Sequence, residues 1–142
     1  MSLTNSEKSI IMSLWDKVSS QAEAIGTEAL ERFFLSYPQS KPSFPQFDQL
    51  PGSAQLRARG AELAAALNDA VKNMDDMDVA LSPLSDLLAY KLRVDPVNFR
   101  LLSHGLQVTL ARYLPRDFTA ETQAAWDKFL GRVPDLMTAK NR

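Results

Sequence analysis

Apolar residues in this chain recur at spacings of three and four, in stretches cut apart by proline, glycine and aspartate. The spacing is clearest in Leu56, Leu63, Leu67 and Val71, with Gly60 and Ala64 on the same side. It returns in Leu81, Leu84, Leu88 and Leu92. Near the N-terminus Ile10, Ile11, Leu14, Trp15 and Val18 follow it, and then Ile25, Ala29, Phe33 and Phe34. A period near 3.6 is the mark of an amphipathic helix, and the alternation that marks a strand is absent. The fold class expected is therefore all-α.

The punctuation sets the helix ends. Thr4 and Glu7 have the spacing of a capping box. A second helix is expected over about 21–36. Pro38, Pro42 and Pro45 follow, with Phe44 and Phe47 among them, and prolines this dense make a corner. Pro51-Gly52-Ser53 opens a helix that runs to about Met74, where Asp75-Asp76 is expected to end it. Another covers roughly Leu81 to Lys91. Asp95-Pro96 is a start signal, a capping Asp before Pro at the first helical position. That helix should run to Tyr113 and stop near Pro115. The last starts at Thr119, with Pro134 expected to bend or end it near Val133. The sum is an orthogonal bundle of about seven to eight helices, one domain over residues 1–142.

Composition removes several function classes. With 142 residues, 45% of them hydrophobic, the chain can build a real core. Sixteen basic residues against 17 acidic ones give a net charge of -1, and no reason to expect nucleic acid or an anionic membrane as partner. No apolar run is long enough for a membrane span, and Met1-Ser2-Leu3-Thr4 does not begin a signal peptide. Without cysteine there is no disulfide or thiolate site, so a cytoplasmic setting is expected. His104 is the single histidine, which rules out any two-histidine metal site within one chain. No catalytic constellation emerges, and an enzyme is not expected.

Four stretches carry a resemblance. They are Ala29-Leu30-Glu31-Arg32, Gly52-Ser53-Ala54-Gln55-Leu56, Leu92-Arg93-Val94-Asp95-Pro96-Val97-Asn98-Phe99 and Asp127-Lys128-Phe129-Leu130. They resemble vertebrate haemoglobin α-type chains of the globin family, across the whole chain. Ile10-Ile11 and Ala124-Ala125-Trp126-Asp127 look more like the embryonic ζ type than the adult type. The resemblance implies haem-based oxygen binding and transport, a β-type partner chain and the erythroid cytosol.

It also implies a haem pocket at stated positions: Phe44, Gln46, Arg59, Leu63, Leu87, Leu88, Leu92, Val94, Asn98, Phe99, Leu102, Val133 and Met137. Two of these depart from the family in the residues that matter most. A proximal histidine holds the iron in the family, and its position is Leu88 here. A distal histidine hydrogen-bonds the gas ligand, and its position is Arg59. Gln46 stands for a histidine near the propionates, and Glu62, which would repel them, for a lysine commonly found near them. Leucine has no lone pair for iron. From periodicity Leu88 reads as core, Arg59 as a surface arginine at the edge of its helix's apolar stripe, and His104 as a structural or surface residue. Met137 and Tyr90 carry possible donor atoms away from the family's ligand position.

The expectation from these departures is a haem-free or ligation-defective globin, with no cofactor and no metal bound, acting as a scaffold or a repurposed or engineered variant. The alternative is an oxygen-transport subunit whose haem has an unconventional protein ligand or none. The surfaces that pair with a β-type chain also depart, at Ser43, Gly105, Gln107 and Asn141. Polar groups in an interface core weaken association, so a monomer or weak homodimer is expected.

Overall fold

A computed structural model describes residues 2–36 and 53–140 of the chain. The corner containing Phe44 and Gln46 lies outside them, as do Ser43 and Asn141. Among the described residues there are seven α-helices and no strand. They are α1 (Asn5–Val18), α2 (Ala22–Ser36), α3 (Ala54–Lys72), α4 (Met77–Asp86), α5 (Phe99–Tyr113), α6 (Ala120–Leu130) and α7 (Val133–Lys140).

The caps sit where side chains can satisfy the first free N–H groups of each helix. Thr4 Oγ1 accepts from the Glu7 N–H at 3.1 Å, and Glu7 Oε1 accepts from the Thr4 N–H at 2.8 Å, a complete capping box. Ser53 caps α3 through the Leu56 N–H at 3.1 Å, and Thr119 caps α6 through the Thr122 N–H at 3.2 Å. Asp95 accepts from the Val97 N–H at 3.0 Å, starting a short 3₁₀ turn, Pro96–Asn98, that leads into α5.

Two boundaries differ from the sequence reading. Asp76 does not end α3. Its carboxylate accepts from the Val79 N–H and starts α4, so Met77 and Ala80 extend the stripe of Leu81 and Leu84 by a turn. An aspartate between two helices is more useful to the second, whose N-terminus it complements. The other difference lies at the end of that helix, where Leu87–Lys91 widens into a π turn. The Leu92 N–H donates to the Leu87 carbonyl and the Val94 N–H to the Leu88 carbonyl, with Arg93 at a φ of 53° making the reversal. Pro134 behaves as expected: α6 stops at Leu130, and Pro134 falls in the first turn of α7, where a missing N–H costs nothing.

The tightest crossing is that of α2 on α3. A Cβ at Gly26 would overlap the Gly60 carbonyl oxygen, and a Cβ at Gly60 would overlap the Thr27 hydroxyl. Only glycine lets the two backbones meet so closely. This contact fixes α3 over one buried cluster that includes Phe33, Leu63, Leu88, Leu102, Phe129 and Met137.

Candidate haem pocket

Leu88 projects from the π turn into the core and is fully buried. Leu63 from α3, Leu92 and Val94 after the π turn, Phe99 and Leu102 from α5, and Val133 and Met137 from α7 are all buried in the same cluster. Leu87 is half-buried against it, and Asn98 is half-buried at the start of α5. Helices α3, α5 and α7, with the π turn and the segment after it, therefore bring nine of the thirteen sequence-selected residues into or against one cluster, and Asn98 is half-buried in the 3₁₀ turn before α5. Phe44 and Gln46 lie outside the described residues, and Arg59 takes the rim.

A small cavity with about 10 Å³ of free space, room for one water at most, lies beside these residues, lined by Leu30, Phe33, Phe34, Leu56, Arg59, Leu92 and Val94. Four of its walls, Leu30, Phe33, Phe34 and Leu56, were not singled out from the sequence as site residues. The signal was there, since Phe33, Phe34 and Leu56 belong to inward stripes of α2 and α3. Periodicity marks a residue as inward without saying whether it meets a neighbour or a cavity.

Arg59 is the charged member of the lining. Its side chain is 25% exposed, and its guanidinium donates to Glu62 Oε1 at 2.6 Å. The other oxygen of Glu62 accepts from Lys91 Nζ at 2.6 Å. Burial raises the Glu62 pKa, but the bonds from Lys91 and Arg59 outweigh it and hold the carboxyl below its ordinary 4.5. Glu62 is thus an ionised carboxylate that bridges α3 and the π turn. The sequence reading of Glu62 as a bare repulsive charge is incomplete, because two cations cover it.

The remaining candidate donors are placed apart. His104 is exposed on α5, and Tyr90 is 56% exposed. Met137 is fully buried in the cluster. Among the described residues no group of three or more His, Cys, Asp or Glu could hold a metal ion.

Two residues read as interface losses turn out to face inward. Gln107 is buried and donates to Asp127 Oδ1 at 2.5 Å and to Ser103 Oγ at 3.3 Å. At Gly105 a Cβ would lie 3.2 Å from the Ala29 carbonyl oxygen, so this glycine serves the crossing of α5 on α2.

The pattern of the globin family matches residues 27–137. The chain is 63% identical over 142 residues to human haemoglobin subunit zeta, with both chains covered in full. Goat haemoglobin subunit zeta is 60% identical and Xenopus laevis haemoglobin subunit alpha-3 is 56% identical, again over the full length of both chains. The chain belongs to the globin family. It is an α/ζ-type vertebrate globin, in a family of oxygen carriers and not of enzymes.

This likeness corrects one expectation. Absence of a cofactor was inferred from Leu88 and Arg59, but full-length identity of 63% to a haemoglobin subunit indicates haem binding. The physical reason is that a ligand bond is one part of what holds a large apolar group. Burial of apolar area contributes about 25 cal/mol per Å² whether or not iron is ligated. The walls described here are apolar, as the haem macrocycle requires, but they are packed together with about 10 Å³ of free space beside them. Positions 88 and 59 do not suit its iron, since neither leucine nor guanidinium has a lone pair to offer.

Proposed function

We propose that this globin is an α/ζ-type haemoglobin subunit that carries haem by apolar enclosure, with no histidine of its own chain on the iron. One observation carries the reading: family pocket positions from α3, the π turn, α5 and α7 remain large, apolar and buried in one cluster, although the residue at position 88 has changed. Haem supplies the iron that takes the gas ligand. The chain's residues enclose the ring and exclude water, with Leu63, Leu88, Leu92, Val94, Phe99, Leu102, Val133 and Met137 as apolar walls. The proposed site also takes in Phe44, Gln46, Leu87 and Asn98, and the domain spans residues 1–142. The free space beside these walls, about 10 Å³, is far below the ~300–1,000 Å³ typical of ligand pockets, so entry of the ring requires the buried walls to move apart.

The proposed partner is a β-type globin chain, in the erythroid cytosol. Full-length likeness to haemoglobin subunits supports it. Gly105 and Gln107 also make contacts inside the chain, at the α5–α2 crossing and to Asp127. Leu35 is 80% exposed and Val97 is 79% exposed, leaving apolar area for a partner to cover. No helix among the described residues is long and apolar enough to cross a membrane.

The test is a haemin titration followed by absorption, for the unaltered chain and for Leu88→His. One equivalent should bind to each, and only the variant should give the spectrum of imidazole-ligated iron.

A further inference from the structure

Among the buried walls, α7 is the least anchored. Pro134 has no N–H to donate to the Leu130 carbonyl, so α6 stops and the chain turns through Gly131 and Arg132 before α7 begins. α7 is thus an eight-residue helix on a joint of its own. It buries Val133 and Met137 fully, whereas α3 buries eight residues and α5 seven, so α7 is the wall that costs least to withdraw. It packs on α4, on the π turn that carries Leu88 and on the 3₁₀ turn before α5.

One clamp sits at the joint. Arg132 Nε donates to Asp78 Oδ1 at 2.8 Å and Arg132 Nη2 donates to Asp78 Oδ2 at 3.1 Å, a two-pronged bond to the first turn of α4. Arg132 Nη1 also donates to Asp135 of α7 at 3.4 Å. Beside the joint, a groove bounded by Met77, Gly131, Arg132 and Asp135 holds about 390 Å³ of free space, room for the segment to turn that the core lacks.

We propose that α7 is a hinged flap that admits haem to the pocket, with the Arg132–Asp78 pair as its latch. Its role as a gate rests on the haem-binding reading, and the hinge itself does not. Outward rotation at Gly131 and Arg132 withdraws Val133 and Met137 from the cluster and uncovers the π turn. The Arg132 and Asp78 side chains are 37% and 54% exposed, so the latch biases the flap towards closed by a few-fold and does not lock it.

The experiment measures amide hydrogen exchange on the full chain before haemin is added, and then the rate of haemin uptake. The forms compared are the unaltered chain, Asp78→Asn, Arg132→Met and Pro134→Ala. Both latch variants should speed exchange over residues 133–140, and haemin uptake with it, by about two- to fivefold, the size of one partly exposed ion pair. Exchange in α3 and α5 should stay as it was. Pro134→Ala restores the missing donor, joins α6 to α7, and should slow both processes. Exchange over 133–140 unchanged in both latch variants overturns the proposal. Exchange that responds while haemin uptake does not overturns the gate and leaves the haem-binding reading standing. If no form binds haemin saturably, that reading falls and the gate falls with it, whatever the exchange shows.

Discussion

Leu88 shows how one residue holds two roles. Its place in a stripe of leucines marks it as core, and the structure buries it fully. Truncation to alanine removes most of that contact and leaves a cavity, at a cost of about 2–5 kcal/mol. Chemical denaturation should show Leu88→Ala less stable by that amount with an unchanged denaturant slope. A cost under ~1 kcal/mol would mean that the pocket floor is already loose. Arg59 was legible as a rim residue from its angle on the helix, but its bond to Glu62 was not, since spacing shows proximity and not partner choice. Gln107 was legible as polar at an apolar position. That it is satisfied within the chain, by Asp127 from the neighbouring helix, depends on a crossing the sequence does not encode locally.

Helix starts were largely readable, because caps are short-range chemistry. Thr4, Ser53, Asp95 and Thr119 all cap as their side chains suggest. The π turn was not readable, since it is forced by the reversal at Arg93 and by packing of Leu88, Leu92 and Val94 below it. The α2–α3 crossing belongs to the same class. Gly26 and Gly60 stand far apart in sequence, and nothing local says that they touch. Gly60→Ala should push the helices apart and destabilise the fold by more than ~1–3 kcal/mol, the usual cost of overpacking, because the obstruction includes backbone atoms of Thr27. Thermal unfolding checks this. A melting temperature equal to that of the unaltered chain would show that the crossing tolerates a methyl group.

Between helices the molecule is tied by ion pairs that work in one pH direction. The Arg112 bond chiefly lowers the Glu28 pKa, prevailing over burial with help from Arg32; Glu62 lies below 4.5 as described above. A depressed carboxyl contributes stability above its unfolded pKa and loses it as pH falls through the folded value. Stability should therefore hold from neutrality down to about the ordinary 4.5 and decline below it, most gently in the variant Glu28→Gln. The pairs are partly exposed, so each contributes at most about 1 kcal/mol. A decline already complete at pH 6 would point to other groups. Assembly belongs to the same scale: mixed with a β-type chain at tens of micromolar, the haem-loaded globin should sediment as a hetero-oligomer, and two separate monomer boundaries would contradict the proposed partner. The account's central claim is that haem is held here by apolar enclosure and not by a histidine at position 88. The most direct measurement is the absorption spectrum of one equivalent of haemin on the unaltered chain beside that on Leu88→His. The account predicts saturable binding to both, with imidazole ligation in the variant alone. An imidazole-ligated spectrum in the unaltered chain, or no saturable binding at all, contradicts it.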